Sequence, residues 1–281
     1  MTVRIVEVGP RDGLQNEKTP VPLEAKVAFI AALAQAGLKE IEATSFVSPK
    51  AVPQLADAAE LWPLLPVGPL YSALVPNRRG LERALGLGVE RIAVFTAASD
   101  AFVQKNIGMS REDSLAGFAE VIQTFRASVP HGFVRGYVST VIACPYAGAI
   151  EPSEVRETAE RLLGMGCDEV ALGDTIGVGA PEDVRRLASE LGDLPIDRTA
   201  WHFHDTRGTA LANTTAMLEA GYRSFDASAG GLGGCPFAPG ATGNLATEDL
   251  VRFLEGEGVA TGVDLDALKK ASLGLGRWVG G

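Results

Sequence analysis

A chain of 281 residues, 46% of them hydrophobic, is too long and too apolar to be disordered, and it can supply either two ordinary domains or one α/β barrel. Its formal charge of −10 argues against nonspecific binding to nucleic acid or to anionic membranes, so a negatively charged substrate needs a local cation to offset that field. No apolar run reaches the roughly 18–20 residues that span a bilayer, and three cysteines without any C-x-x-C pairing argue against a disulfide framework or a zinc–thiolate site.

The charged, strand-like segment 3–8 begins almost at once, which is not the pattern of a signal peptide, and the expected compartment is the cytoplasm. Residues 23–36 then place apolar side chains at helical spacing, with Gly37 as the stop signal. Further short apolar, β-branched runs begin near Glu40, Pro69, Arg91, Phe133, Asp168, Arg198 and Arg223. Segments 86–89, 164–167 and 219–222 repeat the punctuation of helix, glycine, strand. Ser153, Asp205 and Thr247 are each placed to cap a helix start. Eight such units at roughly thirty-residue spacing predict a closed (β/α)₈ TIM barrel, read as one domain over 1–281. The rival, a doubly wound open sheet, would carry G-x-G-x-x-G after its first strand, and the chain does not.

In such a barrel the chemistry gathers where strands end. The first strand runs into Gly9-Pro10-Arg11-Asp12-Gly13, an adjacent cation and carboxylate at the barrel mouth. Glu42 lies inside a run that should be buried, and an unpaired buried carboxylate is costly enough to signal a partner. The fifth strand holds Arg135 and Tyr137, and the sixth ends in Gly173-Asp174-Thr175. The seventh reads Trp201-His202-Phe203-His204-Asp205; residues two apart on a strand share a face, so both imidazoles project together as half of a metal site. After the eighth strand come four glycines within 230–234, then Cys235 and, further on, Asn244. Each feature has a plain structural alternative. The two histidines can be a hydrogen-bonded core pair. Arg11 and Asp12 can be a surface ion pair, and Asp174 a turn or helix cap. The glycine run can be a tight turn rather than a lid that closes on substrate. Cys144 and Cys167 read as packing residues.

The segments 9–17, 45–50, 172–179, 202–213 and 230–249 together resemble the 3-hydroxy-3-methylglutaryl-CoA lyases, in the same order and over nearly the whole chain. The resemblance implies that Asp12, His202 and His204 are metal ligands and that Asn244 completes or supports the site. It also implies that Arg11 stabilises the enolate of departing acetyl-CoA, that Glu42 organises the site, and that Asp174 is a second essential carboxylate. Cys235 matches a thiol that takes part in acid–base chemistry, and Lys18 and Tyr137 match positions around the substrate. The chain departs from the family pattern at Arg207, where many relatives have tyrosine, and at Ala147, where an acidic residue is usual. It also ends earlier than is usual and shows no mitochondrial leader.

The implied reaction is retro-Claisen cleavage of 3-hydroxy-3-methylglutaryl-CoA to acetyl-CoA and acetoacetate. A shell of oxygen and imidazole donors suits Mg²⁺ or Mn²⁺. The implied partners are an acyl-CoA and further copies of the chain, as a dimer or higher homo-oligomer. Three rivals remain: a lyase for a longer or branched 3-hydroxyglutaryl-CoA, a Claisen-condensing acyltransferase of the same superfamily, and a noncatalytic protein that retains the barrel.

Overall fold

In the computed structural model, which describes residues 2–234, 243–276 and 278–279, eight parallel strands close into a barrel. They are β1 (Arg4–Glu7), β2 (Glu40–Ser45), β3 (Leu70–Leu74), β4 (Arg91–Ala97), β5 (Phe133–Ser139), β6 (Glu169–Asp174), β7 (Thr199–Phe203) and β8 (Ser224–Ala227). Each strand pairs with its neighbours in the chain, and β1 closes the ring on β8 with Val6 beside Asp226. Every strand starts within one residue of the position read from the sequence. The fully buried runs of β7 and β8 explain why: strands covered by helices outside and by barrel contents inside leave no polar face to blur the pattern. No helix among the described residues is long and apolar enough to cross a membrane.

The apolar core lies mainly between the strands and the surrounding helices. Trp201 of β7 is fully buried there, stacked on Phe203 at 5.6 Å and edge-on to Tyr222 at 5.4 Å. Burying a large side chain of this kind contributes roughly 1.5–3 kcal/mol. The lumen is different, because charges fill it. Arg4, the first residue of β1, pairs with Glu40 of β2 at 2.8 Å and with Glu169 of β6. β1 and β6 are not neighbours, so that second contact crosses the barrel. Arg91 joins Glu40 at 3.0 Å, and Arg135 of β5 lies 2.8 Å from Glu169 and 2.7 Å from Asp226 of β8. Charges buried in this way persist only when paired.

The three expected caps sit differently. Ser153 is the second residue of the helix Pro152–Gly164, because Pro152 with its fixed φ takes the first helical position and Glu151 precedes it. Asp205 accepts the N–H of Ala210 at 2.9 Å, yet Thr209 occupies the capping position of the helix Ala210–Glu219. Thr247 is already inside the helix Thr247–Gly256, and its hydroxyl is donated instead to Glu7 at 2.7 Å. Glu7, fully buried at the end of β1, also accepts N–H groups from Gly9 at 2.8 Å and Ala229 at 2.9 Å. One carboxylate thereby ties the loop after β1, the loop after β8 and the last barrel helix together. Burial pushes its pKa up from 4.5 to about 7 against the opposing effect of those hydrogen bonds.

Candidate active site

Past β1 the chain does not continue as strand. Gly9–Gly13 forms one wide π-helical turn, in which the N–H of Gly13 reaches back to the carbonyl of Val8 at 3.2 Å. Single turns of this kind recur at functional sites because they rotate side chains that a regular turn would leave elsewhere. Here the turn sets Arg11 and Asp12 over the mouth of the barrel. Arg11 is nearly buried; its Nη1 donates to Asp12 at 2.6 Å and its Nε to the fully buried Glu42 of β2. The Tyr137 hydroxyl donates to the other oxygen of Glu42 and accepts from Arg135 at 3.2 Å. Burial alone would lower the Arg11 pKa, but the charges of Glu42 and Asp12 outweigh it and raise it, so the guanidinium is a permanent charge.

Three side chains able to ligate a metal converge beside it. One atom each from Asp12, His202 and His204 lies within 4.8 Å of the others. The two Nε2 atoms are 3.3 Å apart, and His202 Nε2 is 4.0 Å from the Asp12 carboxylate. Burial opposes ionisation of Asp12, yet Arg11 and the two histidines hold its pKa down at about 2. Asn244 bridges to His204 through the backbone and donates its side-chain N–H to Asp12 and to the carbonyl of Leu232, both at 2.9 Å. The remaining Asn244 oxygen is buried with no hydrogen-bond partner. A carboxylate, two imidazoles and an orphaned amide oxygen are a donor set that fits a divalent cation. Gly233 makes this approach possible: at φ +109 it brings the chain so close that a Cβ there would lie 2.5 Å from the Asn244 amide nitrogen.

The cluster opens on a cavity of about 900 Å³ lined by Arg11, Asp12, Tyr137, His202 and His204 and also by Phe95 and Phe118. Not every residue singled out by sequence is there. Lys18 is exposed and outside the lining. Asp174 is fully buried and also outside it; its carboxylate accepts the N–H of Gly179 at 2.8 Å and so shapes the turn after β6, while Gly173 and Thr175 line the cavity. Burial pushes the Asp174 pKa up, against that backbone hydrogen bonding. The glycine run opens as a 3₁₀ turn at Ala229–Gly231, where the N–H of Gly231 returns to the carbonyl of Ser228 at 2.8 Å; beyond it Asn16 donates to the carbonyl of Gly234 at 2.7 Å and Asn244 to that of Leu232. Cys235 lies outside the described residues. Cys144 and Cys167 are buried packing residues.

Sequence reasoning missed Asp226, which sits behind the cluster and bonds His202 Nδ1 at 3.0 Å. Burial opposes the ionised form of Asp226, but Arg135 and His202 more than compensate and lower its pKa. For His202 burial is likewise the opposing effect, and the Asp226 hydrogen bond and charge raise the pKa. The signal was available: Asp226 is a carboxylate inside the buried run Ser224–Ala227, as Glu42 is inside its own.

A family model described as HMGL-like matches residues 2–273. The hydroxymethylglutaryl-CoA lyase of Pseudomonas mevalonii is 48% identical over 282 residues, covering 99% of this chain and 93% of that protein. A 3-hydroxy-3-isohexenylglutaryl-CoA/hydroxymethylglutaryl-CoA lyase of Pseudomonas aeruginosa is 51% identical over 272 residues, covering 96% and 90%. Among solved structures, an HMG-CoA lyase from Acinetobacter baumannii in complex with coenzyme A and 3-methylmalate superposes with a TM-score of 0.92, at 40% identity and coverage of 99% and 91%.

Proposed function

The chain belongs to the HMGL-like family, and from that premise we propose that it cleaves 3-hydroxy-3-methylglutaryl-CoA into acetyl-CoA and acetoacetate. The observation that carries the reading is the meeting of a buried, carboxylate-braced arginine with a carboxylate–histidine cluster at the mouth of one cavity.

Cleavage of the C2–C3 bond requires removal of the C3 hydroxyl proton; the electrons of the broken bond then pass to the thioester as an enolate, which takes up a proton to become acetyl-CoA. Arg11 supplies a fixed positive charge where the enolate oxygen develops, and Glu42 and Tyr137 keep that charge from turning away. Asp12, His202, His204 and Asn244 would hold a divalent cation, Mg²⁺ or Mn²⁺ by the hardness of the donors. When bound, such an ion polarises the hydroxyl and carboxylate oxygens of the substrate. Burial of Arg11, Glu42, His202 and His204 strengthens each of these electrostatic effects. Cys235 is proposed as the acid that protonates the enolate, on the strength of the resemblance alone. Asp174 is read as shaping the loop rather than touching substrate, and Lys18 as a peripheral contact to the acyl-CoA.

The chain is further proposed to act as one barrel domain, in the cytoplasm, as a homo-oligomer whose size light scattering would read. The dual name of the Pseudomonas aeruginosa relative, together with a cavity of about 900 Å³ whose lining includes Phe95, Phe102 and Phe118, favours a second substrate with a longer C3 branch. The deciding assay measures acetoacetate, or its branched counterpart, released from a panel of 3-hydroxy-3-alkylglutaryl-CoA thioesters after chelation and after restoring Mg²⁺ or Mn²⁺. Metal-dependent release supports the reading, and no release from any member of the panel overturns it.

A further inference from the structure

Asp226 and Arg135 take no part in the chemistry above, yet they form an ordered line that ends on a metal ligand. Arg135 Nη2 lies 2.7 Å from Asp226 Oδ1, and Asp226 Oδ2 lies 3.0 Å from His202 Nδ1. Asp226 is 2% exposed and Arg135 4%, so both contacts are made away from bulk solvent. Arg135 is itself held from behind by Glu169 at 2.8 Å. We propose that Asp226 is a positioning residue that fixes which nitrogen of His202 carries the proton, and that Arg135 makes this choice one-way. The proposal rests on the reading of Asp12, His202 and His204 as a metal site.

The argument is one of donors and acceptors. A carboxylate paired with a guanidinium can only accept, so it draws the N–H of His202 to Nδ1. The lone pair is then on Nε2, the atom that faces His204 Nε2 and the Asp12 carboxylate. A metal ligand needs its lone pair on that side. Arg135 gives the arrangement its direction, because its positive charge, 2.7 Å from Asp226 Oδ1, draws whichever oxygen the residue at 226 presents to it.

An isosteric change exposes this. In Asp226→Asn the amide oxygen turns to Arg135, leaving the NH₂ group against His202 Nδ1. That group donates, so the proton moves to Nε2 and the ligand is blocked. The fold should survive, because Arg135 keeps Glu169 as a partner.

The chain has three histidines, so nitrogen NMR of ¹⁵N-histidine protein resolves each ring. The experiment uses metal-free protein at a pH where imidazole is neutral. Wild-type His202 is expected to show a protonated Nδ1 and a bare Nε2, and Asp226→Asn the reverse. Calorimetry should show Mn²⁺ binding weakened roughly 10–100-fold in the variant, with an unchanged circular dichroism spectrum. A wild-type His202 protonated at Nε2 overturns the proposal, and this measurement holds even if the variant does not fold. A folded variant that keeps the wild-type tautomer also overturns it. Neither readout depends on turnover, so failure here is separate from failure of the lyase assignment.

Discussion

Asn244 hands its amide N–H to Asp12 at 2.9 Å across 232 residues of sequence. The contact is possible only because β1 closes on β8, which brings the loop after the first strand against the loop after the last. Gly233 sits beneath that contact with no room for a side chain.

Gly233→Ala should therefore push the Asn244 amide off Asp12. The expected result is Mn²⁺ affinity lower by about tenfold, with a loss in melting temperature from the strained backbone at φ +109. Calorimetry on the metal-free protein checks it, and unchanged affinity would show that Asn244 does not help hold the ion.

Arg11→Gln should lower kcat by about 100-fold or more while the protein stays folded, because a neutral amide cannot offset enolate charge. Removing Arg11 also takes away the cation that competes for Asp12, so Mn²⁺ affinity is expected to hold or tighten. A variant with normal kcat and only a raised KM would show that Arg11 merely binds substrate.

Chelation should abolish turnover and lower the melting temperature together. Restoring Mg²⁺ or Mn²⁺ at about 100 times its dissociation constant should return about 2.7 kcal/mol of stability. A melting curve indifferent to both treatments would argue against a resident ion.

Glu7 makes stability fall as pH rises. Its pKa is raised on folding from 4.5 to about 7, so the folded chain binds the extra proton. The contribution is complete below about pH 4.5 and is lost as pH rises through about 7. The size is on the order of 3 kcal/mol. Glu7→Gln keeps the acceptor for Gly9 and Ala229 and should flatten the slope, gaining on the wild type toward alkaline pH. Urea unfolding of both proteins across this window is the measurement, and parallel slopes would refute it.

Cys235→Ser should leave substrate binding nearly intact and lower kcat sharply. A thiol reagent should modify Cys235 first, and a substrate analogue should slow that reaction. Cys144 is buried, and burial also pushes the Cys167 thiol up to about 12, so both should react far more slowly. Peptide mapping of the modified thiol decides, and an unreactive Cys235 with a fully active serine variant removes it from the proton path.

The sequence revealed the barrel because strand, helix and glycine stop recur with one period, and a local period survives without knowledge of tertiary contacts. The histidine pair was legible for the same reason, since alternation on a strand fixes that both rings share a face. What could not be read was which charges meet across the lumen. Asp226 is one residue in a four-residue strand, and its partner Arg135 comes from a strand three places away in the ring. Nor does sequence tell a carboxylate that touches substrate from one that holds a turn. Asp174 ends β6 just after Gly173 and Asp12 follows Gly9 past the end of β1, but the π-helical turn at Gly9–Gly13 sets Asp12 over the barrel mouth while Asp174 is held by the N–H of Gly179.

Because the cluster spans the seam where β1 meets β8, it cannot be complete on a growing chain. Asp12 leaves the ribosome among the first residues, His202 and His204 much later, and Asn244 only when the barrel is nearly finished. A truncated or stalled product would present scattered ligands with little hold on a cation. A cation held by this cluster would therefore be taken up only once synthesis is nearly complete.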